Sequence, residues 1–232
     1  MKKTLLGFCV VMLAAVCTLA QNEQAPIVEK EISYKDWTLK SIRTGEDLTL
    51  RELAKGKKLV IVVYWAPWCA NWRYDAPMLE RLYQKYKPHG FEIVAVGEYD
   101  PVSFMKTNLS NLKVTFPAVY ESESRDDREK TKHYDYRRST GDNRKWGSPW
   151  YIFLTPAAFE KKGDTLVKKT HVINGEMIEA EGEKFIREKL GLPKEEAKAS
   201  VADNEIEVCD PAKPIFDQIA AIFRLDADLA LG

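Results

Sequence analysis

Hydrophobic and polar positions along the chain set out strands alternating with helices. Trp37-Thr38-Leu39-Lys40-Ser41-Ile42 alternates apolar and polar residues, the period of a half-buried strand. Residues 21–36 before it form an extended lead-in. Gly45-Glu46-Asp47 is a turn, and Leu48 to Ala54 a short strand or helical turn. Leu59 to Trp65 and Phe91 to Val96 are continuous apolar runs, as in strands buried on both faces. Between them a helical pattern runs from Cys69 to about Tyr86, where Lys87-Pro88-His89-Gly90 ends it. Pro77 inside this helix removes one backbone hydrogen bond and predicts a kink. A further helix runs from Pro101 to about Leu112, with a short strand at Phe116 to Tyr120. After a highly charged run over residues 121–146, Tyr151 to Leu154 is a strand. Thr165 to Ile173 pairs beside it as a hairpin strand, with a turn at Asn174-Gly175. Gly182 to Leu190 closes the pattern as an amphipathic helix, stopped by Gly191 and Pro193. This order describes an α/β chain, a mixed sheet with helices on both faces.

The two ends differ in texture from this body. Lys2 and Lys3 precede an apolar stretch from Leu5 to Leu19, and Thr18-Leu19-Ala20 is a small-residue cleavage site. Residues 1–20 therefore read as a signal peptide for export, periplasmic or otherwise extracytoplasmic. An uncleaved anchor, or lipid attachment at Cys17 in spite of a poorly fitting Val16, is the alternative. The main domain spans 21–192, its core beginning near residue 31. Residues 193–232 are an extension, a Lys/Glu/Ala-rich linker followed by a short amphipathic helix over Ile215 to Leu225.

Composition narrows the function classes. The 232 residues carry 35 basic and 35 acidic side chains, and cleavage after Ala20 leaves a net charge of −2. Such a balance argues against nucleic acid as a partner. No stretch after residue 20 is apolar enough to span a membrane. His89, His133 and His171 are far apart in sequence, and no Cys–His spacing matches a metal site. Neither a phosphate-binding glycine loop nor a serine nucleophile elbow is present, so no cofactor is expected.

The chemistry lies in Trp65-Ala66-Pro67-Trp68-Cys69-Ala70-Asn71-Trp72. A thiol here sits where a strand turns into a helix, and the first N–H groups of that helix lack internal partners. Such a position favours thiolate and lowers a cysteine pKa into roughly the 3.5–7.5 range. A dithiol catalyst would carry its second cysteine three residues on, where this chain has Trp72. Of four cysteines, Cys9 and Cys17 lie in the leader, so the mature chain keeps Cys69 and Cys209.

The order of elements and Tyr64-Trp65-Ala66-Pro67-Trp68-Cys69 resemble the thioredoxin fold, and within it the exported TlpA/ResA-type redoxins. The resemblance covers roughly residues 31–192. It includes Trp37-Thr38-Leu39, the run Leu50 to Lys57, and Pro77 eight residues after Cys69. Gly147-Ser148-Pro149-Trp150-Tyr151-Ile152-Phe153-Leu154 is similar to the family's cis-proline segment. The resemblance implies that Pro149 packs against Cys69 and helps pair an incoming peptide; Thr115-Phe116-Pro117 is the competing segment. It also implies protein or peptide thiols and disulfides as partners, with a small thiol or a redox partner protein completing turnover. Three departures stand out: Trp72 at the resolving position, Val63 where thioredoxins keep a buried acid, and the extension past residue 193. A peroxide-reducing relative would show Thr at the position of Ala66.

One thiol leaves three readings open. Cys69 attacks disulfides and another thiol, Cys209 or an external one, resolves the mixed disulfide. Alternatively the domain binds or chaperones without turnover. In the third reading Cys69 is tied to Cys209, a long closure that the chain-entropy picture values at about 4–5 kcal/mol. Trp68, Trp72, Trp146 and Trp150 flank the segments expected to meet, as an aromatic groove or as core filling. Glu98, at the end of its strand, is either a proton acceptor for Cys69 or a solvated carboxylate. The 121–146 run is a solvated helical insert or a recognition surface.

Overall fold

The structure, a computed structural model, describes residues 23–193. The expected signal peptide with Cys9 and Cys17, and the extension with Cys209, lie outside the described residues. The strands are Gln24–Ala25 (β1), Val28–Lys35 (β2), Thr38–Ser41 (β3), Asp47–Thr49 (β4), Leu59–Trp65 (β5), Phe91–Gly97 (β6), Ala118–Tyr120 (β7), Trp150–Leu154 (β8), Thr165–Ile173 (β9) and Glu176–Met177 (β10). The helices are Leu50–Leu53 (α1), Ala70–Tyr86 (α2), Val102–Asn111 (α3), Lys132–Ser139 (α4) and Glu179–Leu190 (α5).

β5 is apolar at every position and fully buried, which places it at the centre of the sheet. It pairs parallel with β6 and antiparallel with β8. The β5–α2–β6 crossover supplies the parallel pair, and the β8–β9 hairpin the antiparallel side. The eight-stranded order is β2-β9-β8-β5-β6-β7-β3-β4, a thioredoxin-like mixed sheet. Side-chain alternation along β5 feeds two cores. Val60, Val62 and Tyr64 pack with Tyr34, Leu50 and Trp150 on one face. Ile61, Val63 and Trp65 pack with Trp72, Leu79, Leu82 and Tyr151 on the other, beneath α2.

Three expectations change. The lead-in contains an edge strand: β2 runs antiparallel to β9, with Val28 opposite Val172. α5 starts at Glu179, three residues before the expected Gly182, because its first turn is polar and adds no apolar period. The charged insert is not simply solvated. It forms a short 3-10 turn over Arg125–Lys130 and then α4, which buries His133 and Arg137. Burial is possible because both His133 ring nitrogens and both terminal Arg137 nitrogens find partners, while Arg137 Nε has none among the described residues. The Arg137 guanidinium donates to the carbonyls of Asp142, Arg144 and Lys145. The His133 ring stacks on Tyr64 of the central strand, with centroids 4.8 Å apart.

Candidate active site

Cys69 is the N-cap of α2 in extended backbone, with Cys69 N–H bound to Ala66 O at 3.0 Å. The turn is held against the segment before β8. Ala66 N–H donates to Ser148 Oγ at 3.1 Å, and Cys69 Sγ donates to Ser148 O at 3.2 Å. The Ser148–Pro149 peptide is cis. Of the two proline segments weighed from sequence, it is therefore Gly147-Ser148-Pro149 that meets the thiol. Cys69 is 8 % exposed, and it lines an open cleft of about 350 Å³ together with Trp68, Asn71, Arg144, Trp146 and Ser148.

The proline loop is fixed from behind by the insert. Gly147 has φ +58°, and a Cβ there would lie 2.3 Å from Arg137 Cδ, so the position requires glycine. His133 Nε2 lies 3.0 Å from Gly147 O, and Tyr99 Oη 2.9 Å from His133 Nδ1. A carbonyl only accepts, so Nε2 carries the proton and Nδ1 accepts from Tyr99. Burial pushes His133 well below its ordinary pKa and keeps this neutral tautomer. Arg144 donates to Pro149 O at 2.8 Å and pairs with Asp142 and Glu23.

The four tryptophans divide. Trp68 and Trp146 line the cleft and meet edge-on, their centroids 5.1 Å apart. Trp72 and Trp150 are fully buried. Trp72 thus does not border the approach to the sulfur. It stacks on Trp65 at 4.7 Å, and its indole N–H donates to Asn108 Oδ1 at 2.9 Å. Asn108 in turn donates to Pro67 O at 3.1 Å, tying α3 to the cysteine turn. Glu98 matches neither expectation. It is fully buried, accepts from the Ser122 hydroxyl, and no hydrogen bond joins it to Cys69. Burial, then the neighbouring Glu121 carboxylate, push its pKa well up, so the group is held neutral. Among the described residues no cluster of three His, Cys, Asp or Glu side chains is placed to hold a metal. No helix among them is long and apolar enough to cross a membrane.

A model of the AhpC/TSA family matches residues 32–170, more than half of the chain and all of the site just described except Glu23. The chain belongs to this family. AhpC/TSA membership is accompanied by similarity to curated thiol-disulfide oxidoreductases named ResA. That of Halalkalibacterium halodurans is 34% identical over 77 residues, covering 33% of this chain and 43% of the relative. That of Bacillus cereus is 28% identical over 128 residues, covering 52% of this chain and 72% of the relative. The chain thus spans less than half the length of the first and almost three quarters of the second. Among solved structures, a thiol:disulfide interchange protein from Bacteroides sp. aligns with TM-score 0.48 and 22% identity, covering 78% of this chain and 96% of that one. A secreted disulfide oxidoreductase of Mycobacterium tuberculosis aligns with TM-score 0.45 and 16% identity, covering 66% and 95%.

Within the AhpC/TSA domain the structure adds a buried pair that the sequence reading missed. Asp75 and Tyr151 are both buried, one on α2 and the other on β8, two residues past Pro149. The Tyr151 hydroxyl donates to Asp75 Oδ2, which also accepts from Met177 N–H at 3.1 Å. Burial and the Asp75 carboxylate push Tyr151 well above the ordinary tyrosine range. The signal was available. Trp72, Asp75, Ala76 and Leu79 share one helical stripe, and Asp75 is the polar residue in it.

Burial raises the Asp75 pKa from 3.8 to about 6. The folded chain therefore holds this proton more tightly than the unfolded chain. The stabilising contribution is full below about pH 4, is lost as pH rises to 6, and stays absent above. Asp75→Asn keeps a neutral acceptor for Tyr151 and Met177. At pH 7 this variant is expected to be more stable than the wild type by about 1–3 kcal/mol, the advantage vanishing near pH 4. Urea unfolding midpoints across pH measure the difference. A pH-independent difference would show that Asp75 is not held in this way.

Proposed function

We propose that this protein is an exported thiol–disulfide oxidoreductase that works through one cysteine. The Cys69 thiol first loses its proton to water in the cleft. The thiolate attacks one sulfur of a partner's disulfide. A bond from Cys69 to that sulfur forms as the partner's S–S bond breaks, and the second partner sulfur leaves as thiolate and takes a proton from water. A second thiol then attacks the mixed disulfide and frees Cys69 or the partner. With Trp72 in the motif, that thiol is Cys209 or one from outside the chain. Electrons pass between sulfurs, so the reaction requires no bound cofactor.

The observation that carries this reading is the placement of Cys69 as the N-cap of α2, at the wall of an open cleft and against the cis-proline loop. In this reading the helix N-terminus stabilises the thiolate. Pro149 shapes the surface for the incoming chain, and Trp68 forms one wall. Peptides and proteins bearing disulfides or thiols are the partners. Ala66 offers no hydroxyl to a peroxide, which favours disulfide exchange over peroxide reduction. Export rests on Lys2, Lys3 and the apolar stretch that follows, with residues 21–192 as the working domain and 193–232 as an appended extension.

Cys69 burial favours a second reading, a binding or chaperone module without turnover. Alkylation of the mature chain by iodoacetamide across pH separates the two. Labelling of Cys69 with a midpoint well below pH 7 supports the enzyme. A thiol that labels no faster than a free cysteine supports the binding module, and one that labels only after reduction supports pairing with Cys209.

A further inference from the structure

We propose that the cleft beside Cys69 selects peptide segments that carry a carboxylate next to the reacting disulfide; the inference rests on the thiol-exchange reading above. Its walls are indoles, and cations ride on both. The Arg125 guanidinium lies 4.9 Å from the ring centroid of Trp68. Arg128 and Lys145 lie 5.4 Å and 5.6 Å from that of Trp146. These cations differ in what already neutralises them. Arg128 is paired with Glu129, and Arg144 with Asp142 and Glu23. Glu23 is the carboxylate lining the cleft, and Arg144 holds it at 2.8 Å. Arg125 and Lys145 are exposed and form no ion pair among the described residues. Of the acids nearest Arg125 in sequence, Glu123 and Asp126 make no ion pair with it and Asp127 pairs with Lys130.

Two uncompensated positive charges thus stand at the cleft's indoles, Lys145 lining the cleft with Cys69 and Arg125 resting on the ring of Trp68. A cation on an indole is worth about 0.5–1 kcal/mol at an exposed site, enough to bias its position without sequestering the charge. A carboxylate arriving there gains charge-assisted hydrogen bonds and displaces no internal partner. Trp68 Nε1 adds a buried donor with no acceptor among the described residues. The occupant is an extended peptide rather than a small neutral thiol. The indoles of Trp68 and Trp146 offer apolar surface to flanking side chains, and the cations set the preferred sign of charge. A basic segment meets repulsion at the same place.

The test uses the full mature chain and the symmetrical disulfides of three capped pentapeptides, Ala-Glu-Cys-Glu-Ala and its Gln and Lys counterparts. Exchange with Cys69 forms one S–S bond as one breaks and releases one peptide thiol. Mass spectrometry follows the mixed disulfide, and each rate is divided by the rate with the uncharged thiol N-acetylcysteine amide to remove intrinsic reactivity. The Glu peptide is expected to exchange about three- to tenfold faster than the Gln peptide, and the Lys peptide more slowly than either. In R125E/K145E the order should collapse or invert, and about 0.5 M salt should compress it in the wild type. Equal normalised rates in the wild type, or an order that survives R125E/K145E, overturns the inference while exchange itself stands. A Cys69 that exchanges with none of the peptides, where N-acetylcysteine amide exchanges with all, overturns the thiol-exchange reading as well.

Discussion

Cys69→Ser is expected to abolish covalent capture of disulfide partners, lowering the yield of mixed disulfide by roughly three orders of magnitude or more. Serine lacks a thiolate, and a hydroxyl of ordinary pKa does not attack disulfide sulfur near neutral pH. The loss should not come from unfolding. A serine hydroxyl can donate to Ser148 O as the thiol does, and Ala66 N–H keeps its bond to Ser148 Oγ. Wild type and variant are to be expressed in parallel in a cell envelope and separated without reduction, with circular dichroism to compare their folds. Adducts that vanish in the variant identify Cys69 as the attacking atom. Equal adducts in both would move the chemistry elsewhere and remove the basis of the proposed function. Because no second cysteine stands three residues on, adducts of the wild type should also outlast those of a dithiol protein until an outside thiol is added.

How much of this was legible from residues alone depended on the range of the interaction. β5 and β6 were plain because a doubly buried parallel strand is a continuous apolar run. α2 was plain because Trp72, Ala76, Leu79 and Leu82 keep helical spacing down to Tyr86. The meeting of Cys69 with the Pro149 loop was legible through the resemblance and not through periodicity. What stayed hidden was polar burial. His133, Arg137 and Glu98 sit among charged or strand-end residues, and their partners Gly147, Lys145 and Ser122 lie 8 to 24 positions away. A sequence pattern records which residue is polar but not which carbonyl or hydroxyl will satisfy it. The same limit explains Trp72. Its place in a redox motif drew attention to chemistry, while its place in the stripe with Asp75, Ala76 and Leu79 pointed to packing.

Trp72→Ala is therefore expected to cost about 3–5 kcal/mol of folding stability, the range for removing a large aromatic from a core. Trp72 is fully buried, stacks on Trp65 and is anchored by Asn108. Truncation leaves a void between the central strand and α2 and strips Asn108 of a donor, and neither is offset by solvent. Asn108 also holds Pro67 O, so loosening it releases one tie on the cysteine turn. Cys69 should then be alkylated faster in the variant. Trp72→Cys joins this cost to a chemical test, since it restores the spacing of a dithiol motif. With the alignment correct, the introduced thiol forms an internal disulfide with Cys69 under mild oxidant, and mixed disulfides with partners become short-lived. Urea midpoints and non-reducing mass analysis read both outcomes. A loss under 1 kcal/mol in Trp72→Ala would mean that the indole is not the packing element described. Failure of Trp72→Cys to pair with Cys69 would mean that position 72 does not stand where a resolving thiol stands. The physical content of the departure from a dithiol motif is that position 72 is committed to the hydrophobic core, so that in the proposed mechanism release of a trapped partner depends on a thiol outside the motif.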